Sequence, residues 1–335
     1  MKILVTGGAG YIGSHTCIEF LNSGHEVVVY DNFSNSHREV IRRVETITGK
    51  GISLFEGDIC DEFSLKACLN QHHCDAVVHF AALKSVGESM VRPLTYYYNN
   101  VNGTLCVLRA MEACNVKRFV FSSSATVYGE PQWLPLTENH PLSATNPYGR
   151  SKLIVEDVLR DLFRSDRSWS ISILRYFNPV GAHESGLIGE DPQGIPSNLM
   201  PFLAQVAVGN RKKVQIWGGD YPTFDGTGMR DYIHVIDLAQ GHLMALEALN
   251  TPRCDAINLG TGKCYSVFQV IHAFELASGR RIPYEVCPRR SGDVAICFAD
   301  PAFAQKIIKW TARRDLDLMC KSHWTWQSMN PQGYI

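Results

Sequence analysis

The first half of the chain alternates short, β-rich apolar runs with segments of helical period. Strands are expected over residues 2–6, 26–30, 53–56, 76–80, 118–122 and 170–175, most of them followed by a turn signal and a helix. In Val27-Val28-Val29 and Ala76-Val77-Val78 apolarity is continuous rather than alternating, as in strands covered on both faces. Repeated βαβ units of this kind predict an α/β fold built on a doubly wound parallel sheet. After about Asn178 the pattern breaks. Pro179, Pro192, Pro196 and Pro201, with Gly181, Gly186, Gly189 and Gly194, interrupt regular structure, the mark of a binding loop or a linker. Beyond it, a strand at 214–217, a Gly-rich stretch at 218–228, a helix at 235–249 and elements at 256–259, 267–276 and 283–286 read as a smaller mixed α/β lobe. The expected division is 1–177 and 178–335, with some chain crossing between the two.

Composition narrows the class. The 335 residues are 45% hydrophobic and 19% charged, close to a globular average, which excludes a disordered or collagen-like chain. A net charge of −1 without long runs of one sign argues against nucleic acid as a partner. No apolar run approaches the roughly 18–20 residues that span a bilayer, and Lys2 leads straight into Ile3-Leu4-Val5, so a cytoplasmic protein without membrane contact is expected. The eleven cysteines are odd in number and lack the two-residue spacing of a zinc ribbon, which predicts reduced, packed thiols. His72-His73-Cys74 is the densest set of potential metal ligands, but it precedes a strand and reads as a loop; no metal site is expected.

The first strand runs directly into Thr6-Gly7-Gly8-Ala9-Gly10-Tyr11-Ile12-Gly13 and then a helical segment. Gly7, Gly10 and Gly13 supply a tight turn, a side-chain-free approach to a pyrophosphate, and close helix–strand packing, with the anion at the helix N-terminus. Asp31 closes the second strand about twenty residues later, the context of a dinucleotide site in a Rossmann domain. A carboxylate there accepts hydrogen bonds from a ribose 2′-hydroxyl and repels a 2′-phosphate, favouring NAD over NADP, with Arg38 nearby as the one contrary feature. Asp58 and Ile59, beyond the third strand, are placed to meet the adenine, although Asp58 fits a loop cap equally well.

Tyr148 and Lys152 share one face of the helix expected over 147–163. A phenol of reference pKa near 10 becomes a usable base when an ammonium and an oxidised nicotinamide favour its anion, the chemistry needed to oxidise a sugar alcohol. Ligands of doubly wound sheets bind beyond the carboxyl ends of the strands, which makes Ser124 and Tyr176-Phe177-Asn178 candidates as well.

On Gly7 to Gly13, Ser122 to Gly129, Tyr148 with Lys152, and Arg175 to Gly181, the chain resembles the extended short-chain dehydrogenase/reductase superfamily. Val86-Gly87-Glu88-Ser89, Asn99-Asn100-Val101-Asn102-Gly103-Thr104 and the run from Gly226 to Val235 are similar, in order and spacing, to its UDP-hexose 4-epimerase family, over essentially the whole chain. The resemblance implies a captive NAD, reduced and reoxidised within one turnover, and interconversion of UDP-glucose and UDP-galactose. It implies that Tyr148 removes the proton of the C4 hydroxyl, that Lys152 binds the nicotinamide ribose and lowers the phenol pKa, and that Ser124 positions the hydroxyl, with a relay through it left open. Around NAD it places Tyr11, Ile12, Asp31, Asn32, Asp58, Ile59, Phe80, Ala81, Lys84, Asn99 and Phe177 beside the glycines. Around the nucleotide-sugar it places Asn178, Asn198, Leu199, Arg230, Arg290 and Asp293; a guanidinium fork suits a diphosphate and a carboxylate suits a ribose. Tyr232 and His234 fit structural roles. A homodimer through helices at 97–114 and 152–163 is implied too, although their apolar stripes fit the intrachain sheet equally well.

One departure carries a further expectation. On the same resemblance, Cys297 stands where bacterial family members restricted to unacetylated sugars typically carry a bulky Tyr, so UDP-N-acetylglucosamine and UDP-N-acetylgalactosamine are expected substrates, a neutral packing change being the alternative. The competing activities are a nucleotide-sugar 4,6-dehydratase, a UDP-glucose 6-dehydrogenase, which needs a cysteine nucleophile and releases NADH, and a catalytically silent NAD-binding protein. Dehydratase relatives carry Asp and Glu where Ala125 and Thr126 stand, and neither of these does acid–base work at neutral pH.

Overall fold

Strands that are apolar on every position need cover on both faces, and the chain supplies it. In a computed structural model that describes residues 1–290 and 292–334, β1 (Lys2–Thr6), β2 (Glu26–Asp31), β3 (Ser53–Glu56), β4 (Ala76–His79), β5 (Arg118–Ser124), β6 (Ser170–Tyr176) and β7 (Arg253–Leu259) form one sheet. Its order is β7-β6-β5-β4-β1-β2-β3 and every pairing is parallel. Alternate residues feed two separate cores. Ile3, Val5, Val27, Val29 and Val78 pack on one side, with Cys17 and Phe20 of helix α1 (Tyr11–Asn22) and Val40 and Val44 of α2 (Glu39–Thr48). Leu4, Val28, Val77, Phe119 and Ile171 pack on the other, with Leu65 of α3 (Glu62–His72), Val107 and Met111 of α4 (Gly103–Ala113), and Val155 and Leu159 of α5 (Pro147–Ser165). The period of two sorts side chains between the faces, and burial on both sides makes the strands look uniformly apolar.

Several elements differ from the pattern-based expectation. β5 and β6 run on to Ser124 and Tyr176, beyond their apolar stretches, because Ser122, Ser123 and Ser124 stay in register with Leu174, Arg175 and Tyr176. The strand read over 256–259 begins at Arg253 and joins the main sheet beside β6 instead of the smaller lobe; its half-buried edge residues mask its apolar pattern. The helix Val235–Glu247, also read as part of that lobe, packs Leu238, Ala245 and Leu246 into the core around α1. The helix expected over 97–114 is two pieces, a π-helical turn Tyr97–Asn102 and α4, and a short helix Pro93–Tyr96 runs directly into them. The wide turn carries the buried Asn100, whose amide bonds to both backbone groups of Leu83 and to Ser151 Oγ, tying the segment after β4 to α5. His72 ends α3 and His73 is its left-handed cap, leading Cys74 into the core.

The smaller lobe has its own core of Met200, Leu203, Ile216, Val270, Phe274 and Met319 from the helices Leu199–Ala207, Val267–Ser278 and Leu316–Met329 and the strand Val214–Trp217. A three-stranded patch brings Ile296–Cys297 and Tyr265–Ser266 alongside Met229–Arg230.

Two outcomes are expected. Burial holds His15, His79 and His234 down to about 3 and His242 and His323 down to about 4. Each is neutral in the folded protein, while the unfolded chain protonates near 6.5, so stability is full above that value and is lost as pH falls toward 4, by up to about 1.4 kcal/mol per pH unit for each histidine. Thermal melting between pH 7 and pH 4 checks this. Gly7 has φ +70, and a Cβ there would lie 2.7 Å from the Ala81 amide nitrogen. Left-handed strain and overpacking together predict a loss of about 2–5 kcal/mol for Gly7→Ala, read by urea unfolding.

Candidate active site

The sheet order reverses at β1, which lies between β2 and β4, and the crevice at this switch point opens beyond the strand ends. β1 leaves the sheet through Gly7, whose N–H donates to Tyr30 O at 2.8 Å. The contact with Ala81 admits no side chain at 7, and a Cβ at Gly13 would meet Gly7 O at 2.3 Å. The start of α1 therefore sits hard against β1, and its first-turn N–H groups are free to face an anion. Asp31 is buried at the floor of this loop, with Oδ2 accepting from Ala9 N at 3.0 Å and Oδ1 from Phe33 N and Ser36 Oγ, each at 2.9 Å. Each carboxylate oxygen has more than one lone pair, so acceptor capacity remains for a ribose hydroxyl. The Arg38 guanidinium pairs with Glu56 and lies over the Phe33 ring, and Arg38 does not line the cleft that Asp31 faces. A side-chain-free cradle, a helix N-terminus and a carboxylate at the end of β2 fit a dinucleotide bearing a free 2′-hydroxyl.

The second half of the site comes from α5. Asn146 caps this helix by accepting from Gly149 N at 2.8 Å, and Pro147 occupies its first turn, which puts Tyr148 in the wall of the cleft. One turn on, Lys152 Nζ donates to Ser122 O at 2.8 Å and lies over the Phe121 ring. Another turn on, Glu156 accepts from Arg175 Nε at 2.9 Å, Arg175 Nη2 at 2.6 Å and Ser123 Oγ at 2.6 Å, all buried. One helix face thus reads Tyr148, Lys152, Glu156 from cleft to core. Burial raises the Tyr148 pKa, while the Ser124 hydroxyl pulls it down. Burial also lowers Lys152 to about 7. In the protein by itself, desolvation outweighs the expected lowering of the phenol by the ammonium, so the pull toward phenolate has to come from Ser124 and from positive charge brought into the cleft.

These residues line one cleft of ≈ 1130 Å³ between sheet and lobe. Its volume exceeds the roughly 300–1,000 Å³ of a typical small-ligand pocket, leaving room for more than one ligand. Gly7, Gly10, Tyr11, Ile12, Gly13, Asp31, Asn32, Ile59, Phe80, Ala81, Lys84, Asn99, Ser124, Tyr148, Lys152 and Phe177 all face it. So do Asn178, Asn198, Leu199, Arg230, Arg290, Asp293 and Cys297 from the lobe side. Asp58 does not; it caps the next turn through Cys60 N and accepts from Asn32 Nδ2. Arg230 lies 3.8 Å from Asp293, and the Arg290 guanidinium lies over the Trp217 ring. Cys297 pairs with Arg230 across the short strands, and burial pushes its thiol up to about 11, so it presents a small neutral group. Tyr232 is buried in the lobe and also lines the cleft, and His234 caps its helix through Ile236 N.

Sequence reasoning passed over several lining residues. Glu190, buried, accepts from Lys84 Nζ at 3.0 Å and Asn198 Nδ2 at 3.2 Å, joining the two halves of the cleft. The Tyr334 hydroxyl bonds to both backbone groups of Gly189, and Trp326 Nε1 donates to Glu190 O. The Pro/Gly-rich stretch marked this loop as a candidate, but nothing local singled out the acid or its C-terminal anchors.

Residues 3–260 match the model of the NAD dependent epimerase/dehydratase family. A UDP-glucose 4-epimerase from Bacillus subtilis is 57% identical over 335 residues, covering 100% of this chain and 99% of that protein. The crystal structure of UDP-glucose 4-epimerase from Bifidobacterium longum in complex with NAD+ and UDP superposes with a TM-score of 0.97 at 52% identity, over 99% of this chain and 100% of that one. The UDP-Glc/GlcNAc 4-epimerase from Campylobacter jejuni gives 0.85 at 40% identity, over 98% and 99%. With its dinucleotide cradle, its Tyr148–Lys152 helix face and these full-length likenesses, the chain belongs to the NAD dependent epimerase/dehydratase family.

Proposed function

We propose that this protein interconverts UDP-glucose and UDP-galactose by oxidation and re-reduction at the sugar C4. The observation that carries the reading is one cleft in which a buried phenol, a dinucleotide cradle and two arginines converge, in a chain 57% identical to a UDP-glucose 4-epimerase along its full length. NAD, when bound, supplies a reversible hydride acceptor beside the sugar. The N–H groups after Gly10 hold its pyrophosphate, Asp31 the adenosine ribose, and Lys152 the nicotinamide ribose. Arg230 and Arg290 hold the diphosphate of the nucleotide-sugar, while Asn178, Asn198, Leu199 and Asp293 shape its pocket. Tyr148, whose phenol oxygen accepts from Ser124, takes the proton of the C4 hydroxyl and returns it after the ketone has presented its other face. A 4,6-dehydratase needs an acid and a base beyond Ser124, where Ala125 and Thr126 offer neither.

The substrate range extends to UDP-N-acetylglucosamine and UDP-N-acetylgalactosamine. Supporting this, Cys297 lines the cleft with a small side chain, and the Campylobacter relative is named for both plain and acetylated sugars. A homodimer is part of the reading: Leu94, Tyr98 and Leu105 are exposed along the segment 93–105, whereas Val155 and Leu159 of α5 are buried in the chain's own core. No described helix is long and apolar enough to cross a membrane, and eleven free thiols accord with a reducing cytoplasm.

The direct test incubates the protein with each UDP-hexose without added NAD and resolves the C4 epimers. Tyr148→Phe is expected to lose about 10²–10⁴-fold in rate while retaining its NAD, the range of a general base. Wild-type rates in that variant would remove the phenol from the mechanism. Cys297→Tyr is expected to cut kcat/KM for acetylated sugars by about tenfold or more with little change for UDP-glucose, as steric pocket discrimination allows; equal kinetics on both would overturn the role of Cys297.

A further inference from the structure

Ser124 ends β5 and caps the short 3-10 turn Ala125–Val127. Two donors converge on its Oγ, both from Thr126: the backbone N–H at 3.2 Å and the side-chain Oγ1 at 3.0 Å. A serine hydroxyl has two lone pairs and one proton. With both lone pairs filled, its proton is left to be given away, and the buried phenol of Tyr148, lining the same cleft, is the partner that hydrogen bond reaches. Thr126 is itself held in place. Its branched side chain is stiff about χ1, and α5 begins in contact with it: a Cβ at Gly149 would lie 2.9 Å from Thr126 O and 3.1 Å from Thr126 Oγ1. The missing side chain at 149 therefore lets Tyr148, its neighbour, and Ser124 close on one point.

We infer that Thr126 is a positioning residue, one that aims the Ser124 proton at the Tyr148 phenolate. This rests on the proposed reading of the cleft. Burial drives the phenol toward its neutral form, so a donor locked on its oxygen is the feature of this chain that favours the anion. The backbone N–H alone fills one lone pair and leaves Ser124 free to turn; the Thr126 hydroxyl fills the second and removes that freedom.

The test uses the holoprotein with Thr126→Val, which keeps shape and loses the donor, and Thr126→Ser, which keeps the donor. Two quantities are read: the pH profile of kcat/KM for UDP-galactose, and the ultraviolet difference titration of tyrosinate. Thr126→Val is expected to move the acidic limb and the low-titrating phenol upward by about half to one pH unit and to lower the rate below that limb by about three- to tenfold, one unit being tenfold in the ionised fraction. KM and bound NAD stay near wild type, and Thr126→Ser restores both readouts. If Thr126→Val melts below assay temperature, Thr126→Ala is read the same way. An unmoved acidic limb, a rate loss without a pH shift, or a failure of Thr126→Ser to restore the profile overturns the inference. Absence of C4 epimers with the wild-type protein would instead overturn the proposed function.

Discussion

The helix face bearing Tyr148, Lys152 and Glu156 is seated on the ends of β5 and β6 by a buried ion pair, and the chemistry of the cleft depends on that seat. Arg175 reaches Glu156 through two nitrogens, and Ser123 donates to the same carboxylate. A buried pair of this kind gives little net stability but penalises any register in which either charge is left alone. Because residues four apart share a face, fixing Glu156 fixes Lys152 and Tyr148 one and two turns nearer the cleft. Arg175 is anchored further by Tyr128, whose hydroxyl donates to Asn258 of β7, so the sheet edge also takes part in setting the phenol.

The cofactor half is organised by exclusion instead of attraction. At Gly7 and Gly13 the backbone comes too close to its neighbours for any side chain, and that closeness brings α1 to the switch point of the sheet. Asp31 then does two things at once. It braces the loop through Ala9 N and Phe33 N, and its Oδ2, which accepts a single bond, keeps acceptor capacity on the cleft wall. Polar groups in the cleft wall are thus largely committed to one another before any ligand arrives, which is the meaning of preorganisation at such a site.

Between the halves lies the loop that carries Glu190. It faces Lys84 on the sheet side and Asn198 on the lobe side, while Trp326 and Tyr334 hold it from behind. Arg43 of α2 lies over both aromatic rings and donates to Leu187 O, so the chain's last helix and tail are stitched to the dinucleotide-binding layer.

Local chemistry determined much of this protein. Continuous apolar runs announced strands covered on both faces, the Gly7–Gly10–Gly13 spacing with Asp31 announced a dinucleotide turn, and the four-residue spacing of Tyr148 and Lys152 announced a shared helix face, because each signal depends only on backbone geometry and near neighbours. Other features needed the tertiary structure. β7 joined the main sheet by pairing with β6, a partner too far away in sequence to leave a local signal, and the three serines of β5 became strand because β6 lay beside them, not because serine favours it. Asp31 ends β2 and Asp58 follows β3, yet of the two acids only Asp31 faces the cleft, since the path of the following loop decides which way a side chain turns. The Lys84–Glu190 and Tyr334–Gly189 contacts, and the approach of Gly149 to Thr126, likewise exist only where segments distant in sequence meet. Whether a phenol is raised or lowered depends on the water removed around it, a quantity set by the closed fold.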